Sequence, residues 1–126
     1  MCFLILILTK NFLKIIKLGR FKGKTVLDLG GNNGLFSIIS LLNGARSAHV
    51  IDIDKQAIAN VKRFSVESGI SCLYGSESNI KDVSEKADIV IALALVHWIF
   101  NLTTGFGSLK SAIRFLREVA NSALIV

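Results

Sequence analysis

The sequence predicts an α/β domain built on a doubly wound, mainly parallel sheet of about five strands, with a helix in front of it. Three observations carry that prediction. Short apolar runs alternate along the chain with longer amphipathic ones, the pattern of repeated β-α-β units. The strand-like runs are apolar on both faces, as strands covered on two sides must be. The 126 residues allow one domain, and at 52% hydrophobic with mean hydropathy +0.57 they are too apolar for a disordered chain. We expect one domain over residues 1–126, with 1–22 as a helix and lead-in and 23–126 as the core.

Residues 3–18 have helical periodicity. Leu8, Phe12, Ile15 and Ile16 share one face, and Lys10, Lys14 and Lys17 line the other. Gly19 and Gly23 punctuate the exit. Residues 25–29 read as a strand, 35–42 as a mostly apolar helix, and 48–53 as a second strand. Residues 55–67 form an amphipathic helix with Ala57, Val61, Phe64 and Ser68 on one side. A short third strand is expected over 71–74 and a weak helix over 79–85. Residues 87–95 make a strong fourth strand. Residues 106–120 form a helix with Phe106, Leu109, Ile113, Leu116 and Ala120 in register, and 123–126 begin a fifth strand. Right-handed crossovers turn this order into a doubly wound sheet, whose ligands bind beyond the carboxyl ends of strands where the strand order reverses. That directs attention to the loops after Leu29, Ile53, Tyr74 and Leu93.

Composition excludes several classes. The early apolar run over residues 2–8 is far shorter than the roughly 20 residues of a membrane span. It lacks the flanks of a signal peptide. Cys2 and Cys72 have no partner motif, which fits a reducing, cytoplasmic compartment. The net charge of +6 is compatible with a nucleic-acid partner, and a solvated basic surface is the preferred reading. No residue set is assigned to a metal. Gly23-Lys24-Thr25 mimics a phosphate loop but precedes a strand instead of following one, and its spacing is one residue short.

The loop after the first strand reads Asp28-Leu29-Gly30-Gly31-Asn32-Asn33-Gly34. Its glycines permit close approach of a ligand, and the helix that follows points amide groups toward it. The dinucleotide fingerprint fails, because it requires glycine at 32 and 35, where Asn32 and Leu35 stand. A carboxylate at 28 favours a cationic ligand and disfavours a diphosphate. Asp52 ends the second strand, at the spacing expected of an acid that accepts hydrogen bonds from a ribose diol. Asp54 reads best as the cap of the next helix.

Residues 26–34 resemble motif I of the class I, Rossmann-like methyltransferases, Asp/Glu-x-Gly-x-Gly-x-Gly, with Asn32 at the middle glycine. Residues 50–58 resemble the family's second-strand motif, residues 73–80 the stretch that holds adenine, and residues 88–98 the fourth-strand motif beside the methionine moiety. The resemblance implies S-adenosylmethionine as cofactor. It implies cofactor contacts from Asp28, Gly30, Gly31, Asn32, Gly34, Asp52, Ser76, Glu77 and Ala92. Ser76 stands where the family usually has an acid. The run from Val96 to Ile99 is similar to a subgroup that methylates RNA ends and small molecules. His97 is the candidate general base and Trp98 a candidate stacking residue, with loop packing the alternative for both.

The departures are specific. Lys55 stands where the family often has proline, and Asn121-Ser122 replaces Pro-Gly-Gly before the fifth strand. The family has seven strands, and this chain ends inside the fifth. The expectation is the cofactor-binding half of a methyltransferase whose acceptor is RNA, protein or a small molecule. The alternatives are a non-catalytic fragment or decayed copy that still binds cofactor, and a dinucleotide-dependent oxidoreductase. An apolar fifth strand at the sheet edge also predicts self-association there.

Overall fold

The structure is a computed structural model and describes residues 13, 14, 16–93 and 109–125. Its elements are β1 (Thr25–Leu29), α1 (Leu35–Leu42), β2 (Ser47–Asp52), α2 (Lys55–Ser68), β3 (Leu73–Glu77), a 3-10 turn (Ile80–Asp82), β4 (Ala87–Ile91), α3 (Leu109–Val119) and β5 (Ala120–Ile125). The strands pair in parallel in the order β3-β2-β1-β4-β5, the expected doubly wound sheet. Strand order reverses between β1 and β4, so a crevice opens beyond their carboxyl ends.

Alternate residues of each central strand serve opposite layers. Val26 and Leu27 are both buried, one in each of two clusters. Val26, Val50 and Ile91 pack with Ile58 and Val61 of α2. Leu27, Leu29 and Val90 pack with Leu116 and Val119 of α3 and with Ile80 of the turn. Phe21, in the turn before β1, is completely buried in the first cluster, although the sequence pattern around it reads only as a glycine-punctuated exit. At the foot of the sheet the Asp88 carboxylate accepts from the Thr25 N–H at 3.0 Å and the Thr25 hydroxyl at 3.2 Å, while the Asp88 N–H donates to that hydroxyl oxygen at 3.0 Å. The Thr25 backbone N–H is the main reason that Asp88 titrates below the ordinary carboxylate range.

Several boundaries move from their sequence positions. The third strand runs from Leu73 to Glu77 and not over 71–74, because pairing with β2 recruits Gly75, Ser76 and Glu77 into the sheet. The segment 79–85 holds one 3-10 turn, capped where the Asn79 side chain accepts from the Lys81 N–H at 3.2 Å. Only Ile80 of that turn is buried, so no apolar face extends it. The α2 core face is Ala57, Ile58 and Val61, and Phe64 is 40% exposed. β4 runs from Ala87 to Ile91 and is shorter than the expected 87–95, since Ala92 lies outside the strand and Leu93 is already in a turn. β5 begins at Ala120, where it pairs with Ala87, and lies at the sheet edge outside β4.

Residues 13, 14, 16 and 17 are helical, and Ile16 packs against the first cluster. Leu8, Phe12 and Ile15 of the expected helix lie outside the described residues, as do Lys10, Cys2, Phe106, His97 and Trp98. Among the described residues no helix is long and apolar enough to cross a membrane. Cys72 is a free, half-buried thiol.

Phe21 is a fully buried aromatic side chain of the first cluster. Phe21→Ala is expected to lower the unfolding free energy by about 3–5 kcal/mol, the usual cost of emptying a buried aromatic site. Denaturant unfolding checks this, with the midpoint falling and the slope unchanged.

Candidate functional site

The mouth of the crevice is formed by the loop from Gly30 to Gly34. The Gly30 N–H donates to the Ile51 carbonyl at 2.8 Å, which ties the loop to β2, and the Gly34 N–H closes the turn on the Gly31 carbonyl at 2.9 Å. Gly34 has φ +80°, and an added Cβ would lie 3.1 Å from Val50 Cγ2 and 3.3 Å from Val61 Cγ2. Space and backbone conformation both require glycine there. Asn32 has φ +51°, a left-handed conformation that asparagine tolerates better than most side chains. Its occurrence at the motif's middle glycine therefore leaves the loop shape intact. The N-cap residue of α1 is Gly34, which has no side chain to offer, and the Ser37 N–H of the first turn is taken instead by the Asp28 carboxylate.

Two carboxylates meet this loop. Asp28 is 2% exposed, and one oxygen accepts from the Ser37 hydroxyl of α1 at 2.7 Å. Burial pushes its carboxyl up to about 6, against the lowering effect of the Ser37 hydroxyl and N–H, and the Asp52 charge adds a smaller push upward. Gly31 is the residue that makes room: a Cβ there would sit 2.6–2.9 Å from the atoms of the Asp28 carboxylate. Asp52 is held by two backbone donors, the Asn32 N–H on one oxygen and the Asp54 N–H on the other, each at 2.9 Å. Asp52 thus arrives pre-oriented, with a lone pair of each oxygen turned away from those donors. The Asp54 carboxylate caps α2 by accepting from the Gln56 and Ala57 N–H groups at 2.9 and 3.2 Å.

The sheet brings Asp28, Gly30, Gly31, Asn32, Gly34 and Asp52 together around one loop. Ser76 and Glu77 stand on the neighbouring strand, in register with Ile51 and Asp52. Glu77 is exposed, whereas the half-buried Ser76 hydroxyl lies 2.7 Å from His49 Nε2. Ala92 follows β4, fully buried, with its N–H given to the Ile125 carbonyl at 2.7 Å. Four residues at or near the site escaped the motif reading. Ser37 orients Asp28, and it is one of two buried serines on an otherwise apolar helix, the other, Ser40, bonding back to the Phe36 carbonyl. Ile53 is 54% exposed directly after Asp52. His49 and Glu85 form a hydrogen-bonded pair behind Ser76 that no local spacing announces, being 36 residues apart. Among the described residues no group of side chains could hold a metal ion.

Comparison with known proteins shows the family and the fold. The family model for ribosomal protein L11 methyltransferase (PrmA) matches residues 8–112. The ribosomal protein L11 methyltransferase of Staphylococcus aureus strain MRSA252 is 36% identical over 95 residues, covering 72% of this chain and 30% of that protein. The enzyme of the same name from Aquifex aeolicus strain VF5 is 35% identical over 89 residues, covering 71% of this chain and 36% of its own length. The chain therefore spans about a third of the curated relatives it matches. Among solved structures, magnesium protoporphyrin IX methyltransferase from Synechocystis PCC 6803, with bound S-adenosylmethionine, superposes with a TM-score of 0.72 at 18% identity. That match covers 93% of this chain and 54% of that one, and it shows the shared Rossmann-like fold. With most of its length matched by one family model and curated relatives at this level of identity, the chain belongs to the ribosomal protein L11 methyltransferase family.

Proposed function

We propose that this chain forms the S-adenosylmethionine-binding half of a methyltransferase whose acceptor is a ribosomal protein of the L11 kind. The observation that carries the cofactor reading is the pair of carboxylates, Asp28 and Asp52, on either side of a glycine loop at the switch point. A diphosphate brought to this loop meets negative charge, whereas a ligand with a cationic amino group and a sulfonium meets attraction. The dinucleotide-dependent alternative is disfavoured for that reason. The acceptor reading rests on family membership alone.

The residues fit the cofactor in order across the strand ends. Asp28 and the loop glycines at the end of β1 would hold its amino-acid half, the one by charge and the others by leaving the backbone bare. Asp52 at the end of β2 would accept from the ribose diol. Ser76 and Glu77 of β3, with the exposed Ile53, would hold the base. When bound, the cofactor supplies an electrophilic methyl group. The chain's own part is to hold that ligand in one orientation and exclude water beside it, a proximity effect.

The first test is calorimetry with S-adenosylhomocysteine and NAD. Asp52→Ala is expected to weaken S-adenosylhomocysteine binding by about 10-fold to 100-fold, since it removes charge-assisted hydrogen bonds of roughly 1.5–3 kcal/mol each. Asp54→Ala is expected to lower the melting temperature more than the affinity. Tighter binding of NAD than of S-adenosylhomocysteine would reverse the reading.

The second test concerns pH. The folded chain raises Asp28 from 3.8 to about 6, so the folded state holds that proton more tightly than the unfolded state. Stability on this account falls as pH rises between those values, and the cost is fully present above about 6. A cationic ligand binds the ionised form, so affinity is expected to fall as pH drops through about 6. Asp28→Asn is expected to raise the unfolding free energy at neutral pH by as much as about 3 kcal/mol, while weakening cofactor binding. Thermal melts and calorimetry on one preparation check both signs.

A further inference from the structure

A chain of side chains runs from the crossover segment through β2 to Ser76 near the carboxyl end of β3. Glu85, in the segment leading into β4, lies 2.5 Å from His49 Nδ1, and His49 Nε2 lies 2.7 Å from the Ser76 hydroxyl. His49 sits in β2 opposite Tyr74, and Ser76 sits opposite Ile51, one residue before the ribose acid. The His49 side chain is 21% exposed and that of Glu85 46%. Among the described residues the titratable groups facing His49 are Glu85 from the crossover, Tyr74 of β3 with its ring centroid at 6.4 Å, and Lys62 of α2 across a surface cavity of about 450 Å³ that His49, Tyr74 and Ser76 share.

The chemistry of this chain fixes the direction of each bond. A carboxylate only accepts, so His49 Nδ1 carries the hydrogen that faces Glu85. In the neutral ring Nε2 is then a bare acceptor, and the Ser76 hydroxyl donates its one hydrogen to it. Ser76 is left with lone pairs alone to offer toward the site. When His49 takes up a second proton, Nε2 becomes a donor, and the Ser76 hydroxyl hydrogen is released to point elsewhere.

We propose that His49 and Glu85 are positioning residues that set the hydrogen-bond polarity of Ser76, and so select a base carrying an exocyclic amino group over one carrying a carbonyl at the same position. This rests on the cofactor reading given above, which lays the base over the end of β3. In this chain a serine stands where the resembling family usually has an acid, and the His49–Glu85 pair gives that serine the acceptor-only character of a carboxylate without its charge. Protonation of His49 removes the selectivity.

The test compares S-adenosylhomocysteine with S-inosylhomocysteine, which has a carbonyl in place of that amino group and a hydrogen on the adjacent ring nitrogen, by calorimetry on the full chain from about pH 8 to about pH 5, the range in which imidazoles change charge. The readout is the ratio of the two affinities. Asp28 titrates in the same range but acts on the half of the ligand that the two share, so it cancels in the ratio. The wild-type ratio is expected to favour adenine by about 2-fold to 10-fold at the upper end, the usual worth of one neutral hydrogen bond, and to collapse toward the lower end. His49→Ala is expected to give a small ratio that no longer varies with pH. Glu85→Gln, at a half-exposed position, is expected to reduce the upper-end ratio without disturbing the fold, because an amide can face Nδ1 as donor or acceptor. Asp52→Ala is expected to weaken both ligands and leave the ratio alone. A wild-type ratio independent of pH, or one unchanged in both His49→Ala and Glu85→Gln, overturns the proposal and leaves the cofactor reading standing. Binding that ignores Asp52→Ala overturns the cofactor reading and the proposal together.

Discussion

The carboxylate of Asp28 is withdrawn from water at the carboxyl end of the central strand, and the surrounding residues are arranged to accommodate it. Ser37 turns its hydroxyl inward from α1, and Gly31 gives up a side chain because a Cβ would collide with the carboxylate oxygens. The loop that results is narrow, lined by backbone, and held to β2 through the Gly30 and Asn32 amides. A buried charge without a cation beside it is costly, which is why the group holds its proton up to about 6. The same cost gives a cationic ligand its advantage, since it supplies the partner that the protein withholds. Stability and ligand affinity therefore oppose each other at this one position.

Two aspartates on the paired strands β1 and β4 titrate in opposite senses. Asp88 at the foot is held ionised by the Thr25 amide and contributes stability above the ordinary carboxylate range, which is lost in acid. Asp28 at the head subtracts stability in the range where Asp88 supplies it. Strands β1 and β4 thus carry a stabilising charge at the end away from the site and a destabilising one at the site itself. The division matches a scaffold firm at its base and strained where it meets ligand.

Much of this was legible in the sequence. β1 and α1 fall where the apolar runs place them, because each run is long enough and bounded by glycines. The place of Asp52 beside the glycine loop was legible from its spacing and strand-end position, and the cap role of Asp54 from its place before an apolar-periodic helix. What stayed hidden depends on pairing across the sheet. The extension of β3 through Gly75-Ser76-Glu77 has weak strand propensity and exists because β2 offers it a ladder. The short 3-10 turn after it lacks an apolar face beyond Ile80, so the expected helix finds nothing to bury. Phe64 shares the periodicity of Ala57 and Val61 yet faces partly outward, because the contact with the sheet centres on Ile58. The His49–Glu85 pair joins residues that the crossover alone brings together.

The reciprocal bonding of Thr25 and Asp88 has a mechanical side. β1 and β4 are the pair between which the strand order reverses, and their register contacts run only from Val26 to Asp28. Below those contacts the two residues lock backbone to side chain in both directions, whereas above them the chains part into the crevice. The pairing acts as a fulcrum set at the bottom of a wedge. Any adjustment of the mouth to its contents is made by the loops above it, and the two halves of the sheet keep a fixed spacing where they join.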